Sequence, residues 1–259
     1  MSDSKRSCTR LFNNPVLSDV KIKQTYNGHT REYYAHKAVL CQESDYFLNA
    51  FTGNFKESSE AIMELHEDDP EHFEFVLKFI YTGAYNKDEI AKLAGDDKNK
   101  RVLVPIDVHA IADKYDIAKL YKPAAEDVKA VLMEAVKDQD MLTTAIHAHY
   151  GTEVNVDGAM GRLVTSVVFD KHKDLVPTKV FEQLLLVYPT FAADAALHSQ
   201  RTKTLDRAAL AICIPCKMQA VHVEAMRKAG LTTSDDEQGS AGGMGAMMSL
   251  KTSRGRADK

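Results

Sequence analysis

Between residues 18 and 26 the stretch SDVKIKQTY places Val20, Ile22 and Tyr26 on alternating positions, the spacing of a strand with one buried face. Asn27-Gly28 follows, and because both residues tolerate positive φ the pair predicts a hairpin turn. REYYAHK is the return strand, with Tyr33 and Ala35 on one face. AHKAVLCQ then predicts a short helix. Ser44 reads as the N-cap of a second helix, with Asp45 favourably placed in its first turn, Tyr46, Phe47, Ala50 and Phe51 on one face, and Gly53 as its stop. Ala61, Met63 and Leu65 alternate again, predicting a third strand. Asp69 caps the next helix, Pro70 takes its first position, and Phe73, Val76, Leu77 and Ile80 form its buried stripe up to Gly83.

The second part of the chain has a different rhythm. Residues 86–101, NKDEIAKLAGDDKNKR, are polar and mixed in charge, so the region 86–104 reads as an exposed insertion. Helical spacing returns at Val108, Ile111, Ala112 and Tyr115. Pro123 opens a further helix, with Val128, Val131, Leu132 and Ala135 inward. Met160, Leu163, Val164 and Val167 mark another helix; Phe181, Leu184, Leu185 and Tyr188 mark one more, capped by Thr178. Strands with short helices, followed by helices alone, predict an α+β fold with an all-helical C-terminal extension. From about Thr232 the chain is rich in Gly, Ser, Asp and Met, the composition of a disordered tail. No internal repeat is found.

Composition changes this picture little. The 259 residues are 44% hydrophobic and 27% charged, with a formal net charge of −4. That balance supplies no general attraction to phosphate backbones or anionic lipid, so neither nucleic acid nor membrane is an expected partner. The four cysteines, Cys8, Cys41, Cys213 and Cys216, are too few and too scattered for a disulfide framework and suit a reducing compartment, the cytoplasm or nucleus.

Residues 17–85, opening LSDVKI and running through YYAHKAVLCQESDYFLNAFTGNFKESSEAIMELHEDDPEHFEFVLKFIYTGAY, resemble a BTB/POZ domain of the fungal type. HAIADKYDIAKL, residues 109–120, is similar to a later helix of the same domain. The resemblance implies residues 1–16 as a flexible N-terminus and 17–121 as the domain. Beyond it, 122–231 is read as the helical extension and 232–259 as the tail. It further implies a non-enzymatic protein-interaction module that forms a homodimer and recruits partners. Many members are substrate adaptors of cullin-type E3 ubiquitin ligases; the alternative is a homotypic scaffold or transcription-regulatory partner without a ubiquitin role.

The same resemblance implies a charged pocket near the dimer interface formed by Asp19 and Lys37, and a structural signature in His36, Ser44 and Gly83. Phe55-Lys56-Glu57 matches the hydrophobic–any–glutamate pattern of cullin-binding members, which gives Phe55 and Glu57 as cullin contacts. Read from the residues alone, His36 and Cys41 invite a hydrolase reading. No Ser or Cys partner at a recognised spacing supports it, and Ser44 with Asp45 is explained by capping. Cys213-Ile-Pro-Cys216 has the spacing of half a zinc site, but a closed site needs four ligands and no second such pair exists. The pair is therefore read as thiols without metal, a half-site completed elsewhere being the alternative. No cofactor is expected, and GSAGGMGAMM follows no strand and lacks the Gly-Lys-Ser/Thr ending of a phosphate loop.

Overall fold

The computed structural model describes residues 8–53, 56–135, 138–152 and 154–202. A hairpin of β1 (Val20–Tyr26) and β2 (His29–Ala35) pairs antiparallel from Val20↔Ala35 to Tyr26↔His29, and β3 (Ile62–His66) joins β1 in parallel, giving the order β2-β1-β3. Asn27 and Gly28, at φ 47° and 79°, make the two-residue turn that only residues tolerant of positive φ form cheaply. Val20, Ile22, Tyr33, Ala35, Met63 and Leu65 point inward and are buried. On the outer face Lys21 and Lys23 pair with Glu32 and Glu64, each at 3.1 Å.

The inner face is closed by α1 (Lys37–Glu43), α2 (Asp45–Thr52) and α3 (Pro70–Thr82). The predicted signals of α3 all act: Asp69 accepts from the Glu71 amide at 2.8 Å, Pro70 takes the first position, and Gly83 ends the helix at φ 69°. Phe47, Phe73 and Tyr115 meet in this core, with Phe47 stacked on Tyr115 at 5.5 Å and Phe73 edge-on to it at 5.6 Å.

Residues 86–104 are not the exposed insertion that their charge predicts. They fold as α4 (Lys87–Ala94) and the start of α5 (Lys98–Lys114), and Ile90, Ala94, Val102 and Val104 are buried. Asn86 and Asp97 cap the two helices. The polar majority covers the outer faces, while one apolar residue per turn reaches inward, which is too sparse to read in a window dominated by charge. Pro123 does not open its helix either. Asp116, at φ 51°, ends the run from α5, and α6 (Ala118–Glu134) begins five residues before the proline.

α5 and α6 serve two cores. Val104, Val108, Ile111 and Ala112 of α5, with Leu120 and Ala124 of α6, complete the core under the sheet. Val102 and Ile106 of α5, with Val128, Val131 and Leu132 of α6, face a second core. That core is filled by α7 (Gln139–Tyr150), α8 (Ala159–Lys171), α9 (Lys179–Val187) and α10 (Pro189–Thr202). The periodicity finds α8 and α9 but misses α7 and α10. No single described helix is long and apolar enough to cross a membrane.

The junction between the cores holds a buried carboxylate. Asp127 on α6 is fully buried, accepts from both terminal nitrogens of Arg101 on α5 (2.8 and 3.3 Å), and accepts from the Tyr85 hydroxyl at 2.9 Å. Burial first, and then the Asp127 charge, hold the Tyr85 phenol well above its ordinary range. Replacing Asp127 with Ala strands the guanidinium and the hydroxyl, and removing one partner of a buried pair costs about 3–5 kcal/mol. For a domain of this size each kcal/mol moves Tm by roughly 2–4 °C. We therefore expect D127A to lower the melting temperature by roughly 6–20 °C in calorimetry.

Candidate functional site

The segment preceding β1 is held against the domain rather than left free. Phe12 packs edge-on to Tyr81 at 5.9 Å, and the Asn13 side chain accepts from the Tyr34 amide at 3.0 Å. This corrects the reading of 1–16 as a flexible N-terminus for residues 8–16, while residues 1–7 lie outside the described residues.

His36 is the centre of this arrangement. Its Nε2 sits 2.8 Å from the Val16 carbonyl, which can only accept, so Nε2 carries the proton and Nδ1 accepts from the Tyr81 hydroxyl at 3.0 Å. The His36 amide in turn donates to the same Tyr81 oxygen at 3.0 Å. Burial pushes the Tyr81 phenol up to about 12, and the negative charge of Asp19 adds to the shift. The imidazole is thus a buried strut between the leader and α3, occupied at both nitrogens.

Asp19 and Lys37 do meet, through the backbone: the Asp19 carboxylate accepts from the Lys37 amide at 2.7 Å. His36 at the N-cap makes no side-chain capping bond, so Asp19 caps α1 from a distant part of the chain. The Lys37 ammonium donates to the Ser58 carbonyl at 3.0 Å and lies 5.0 Å over the Phe51 ring. Cys41, one turn along α1, is half-buried, and burial followed by the Asp19 charge raises its thiol pKa while Lys37 opposes. A raised thiol is the opposite of an activated nucleophile.

Ser44 performs two tasks. Its Oγ accepts from the Phe47 amide at 3.1 Å and donates to the Tyr115 carbonyl at 2.6 Å, joining the α2 N-terminus to the end of α5. Of the expected cullin contacts, Phe55 lies outside the described residues, and Glu57 is described only as backbone of the short turn Lys56–Ser58. Cys213 and Cys216 also lie outside them. Among the described residues no group of three or more His, Cys, Asp or Glu is placed to hold a metal ion.

The sequence reading missed the leader's apolar tip. Val16 and Leu17 are 59% and 79% exposed, and Leu17 is held at φ 61°, a left-handed conformation that a bulky residue rarely adopts. The tip is braced by Asn14 Oδ1 on the Val16 amide (2.9 Å), by His36 on the Val16 carbonyl, and by Ser18 Oγ on the Ala35 carbonyl (3.0 Å). On the outer face of the sheet Tyr34 and Ile62, 41% and 48% exposed, flank Lys21 in one row across the strands. Asn-Pro ahead of two apolar residues that break the strand's period was the available signal.

The residues that build this small mixed sheet, the helices α1 to α3 over it and the anchored leader match a known family by sequence. Residues 8–129 match the BTB/POZ domain. They are a BTB/POZ domain. The match begins at Cys8, so the leader belongs to the domain, and it runs through the first two-thirds of α6. The chain is 30% identical over 141 residues to ARM repeat protein interacting with ABF2 from Arabidopsis thaliana, covering 54% of this chain and 17% of that protein. It is 38% identical over 77 residues to Armadillo BTB Arabidopsis protein 1, also from Arabidopsis thaliana, covering 30% of this chain and 10% of that one. It is 23% identical over 142 residues to Kelch-like protein 11 from Mus musculus, covering 45% and 20%. The chain therefore spans between a tenth and a fifth of the length of these relatives.

The signature residues can be tested through Ser44. Ser44→Ala removes an N-cap, which costs about 1 kcal/mol, and leaves the buried Tyr115 carbonyl without its donor, which costs about as much again. A loss of about 2 kcal/mol in urea unfolding is expected, with an unchanged slope.

Proposed function

We propose that this BTB/POZ domain protein, whose domain is a protein-interaction module, self-associates through its leader and recruits a second protein, acting as a substrate adaptor of a cullin-type E3 ubiquitin ligase. The observation that carries the self-association is the Val16–Leu17 tip. Two adjacent apolar side chains are held out to solvent by three hydrogen-bonded braces and a left-handed backbone, which is a rigid anchor of the kind that dominates interface energetics. Asp19 and Lys37 lie just behind it, where the cap on α1 fixes the angle between leader and helix. The cullin reading is supported by the Phe55-Lys56-Glu57 pattern between α2 and β3, an apolar anchor beside a carboxylate. We place the protein in the cytoplasm or nucleus, a reading that the free thiols of Cys8 and Cys41 support. A homotypic scaffold or transcription-regulatory partner remains the second reading, because the self-association surface is independent of that loop.

In light scattering at micromolar concentration the wild type should give twice its 28.8 kDa monomer mass. Val16→Asp/Leu17→Asp should weaken association about 30-fold or more while the circular dichroism stays unchanged. A wild type that remains at 28.8 kDa removes the dimer. In a pull-down with a cullin scaffold, Phe55→Ala/Glu57→Ala should retain less than a tenth of the wild-type binding. Absence of binding by the wild type eliminates the adaptor role and leaves the scaffold reading.

A further inference from the structure

Along α5, Val102, Ile106, His109 and Asp113 follow one another at steps of four, three and four residues, a single helical stripe. Its first half, Val102 and Ile106, is buried in the second core with Leu142, Ala145 and Ile146 of α7. Four residues beyond Ala145 and Ile146, α7 presents His149 and Tyr150. The apolar seam between α5 and α7 therefore runs out onto two imidazoles, one from each helix.

Neither ring is solvated as an ordinary surface histidine. The His109 Nε2 is buried without a hydrogen-bond partner among the described residues, and its ring lies 5.6 Å from that of Tyr121 on α6. His149 packs edge-on to Tyr150 at 4.6 Å. Burial holds both below the ordinary range, His149 at about 4, and the nearness of His109 depresses His149 further. The surrounding groups give a cation little to pair with. α5 itself supplies Asp113, the one carboxylate that favours charge on His109. α3 supplies His72, whose Nδ1 is 2.9 Å from Asp107. α6 supplies Tyr121, whose hydroxyl donates to Asp116 at 3.4 Å. On α4, Lys87, Asp88 and Lys92 are exposed and Glu89 is paired with Lys78. Tyr150 is engaged by Asp194 at 2.8 Å.

We propose that His109 and His149 form an acid-sensitive clamp between α5 and α7. With both rings neutral the seam closes; protonation places a cation at its end and releases α7–α10 from α5 before the core under the sheet opens. The folded chain binds these protons more weakly than the unfolded chain. The stability the pair contributes is therefore full above pH 6.5 and is lost as pH falls toward 4. Each ring steepens opening by up to about tenfold per pH unit in that window.

Hydrogen exchange with mass spectrometry on the full chain, corrected for the intrinsic pH dependence of exchange, tests this. Between pH 6 and 4.5, wild-type peptides from α7 and α8 should open at least tenfold more per pH unit, while α3 peptides stay protected. His109→Gln/His149→Gln should reduce that slope to threefold or less. An unchanged slope in the double variant, or both cores opening together, overturns the clamp. Ring titration of the wild type by NMR is independent of any variant: His149 should titrate below pH 5, and a midpoint between 6 and 7 overturns it as well.

Discussion

Two helices, α5 and α6, have to bury both of their faces at once, and the rest of the molecule is arranged around that requirement. One face of each completes the core beneath the three-stranded sheet, and the other seeds the core filled by α7–α10. Most amphipathic helices leave a polar stripe for water. Here Arg101 and Asp127 face each other in the space between the two cores and satisfy one another, with Tyr85 closing the remaining valence from the α3–α4 connection. A buried charge is costly by itself, so this arrangement fixes the register of the two helices: a slide of one turn separates the charges inside the protein. The pairs on the outer face of the sheet carry no such consequence. Lys21–Glu32 and Lys23–Glu64 are exposed, and exposed pairs contribute at most about 1 kcal/mol.

The interaction surface depends on the same logic at smaller scale. Val16 and Leu17 stand in water only because buried polar groups behind them are all occupied. His36 spends both ring nitrogens and its amide on the leader and Tyr81, and Asp19 caps α1 in place of the residue at its own N-cap. Loss of the Tyr81 hydroxyl leaves the buried His36 amide and ring nitrogen unpaired, which is why an exposed and locally strained tip can persist. Residue types that suggest hydrolysis, histidine, cysteine, aspartate and serine within a few positions, are each accounted for by packing, capping or a strut.

Much of the fold could be read from local pattern. Where turn chemistry and period agreed, as in Asn27-Gly28, Ser44, Asp69-Pro70 and Gly83, the elements fell where the residues indicate. The misreadings share a cause. In 86–104 the charged residues outnumber the few that are buried, yet Ile90, Val102 and Val104 are almost wholly enclosed. At Pro123 a local preference for the first turn lost to the left-handed Asp116 upstream, whose position answers to the packing of α5 on α6. α7 mixes its histidines and threonines with its apolar residues, and α10 carries many alanines, so neither shows a clean stripe.

The sequence by itself determined the α+β order, the hairpin, the caps, and the string of residues around AHKAVLCQESDYF that marks the BTB/POZ domain. These are contacts among near neighbours, and the chemistry of each is written within a few positions. Only the tertiary structure decided that Asp19 caps a helix eighteen residues away, that Val16 and Leu17 face water, and that α5, which carries His109, shares a core with α7, which carries His149. Each of those depends on which distant elements share a face, and a one-dimensional pattern carries the period of a face without naming what packs against it.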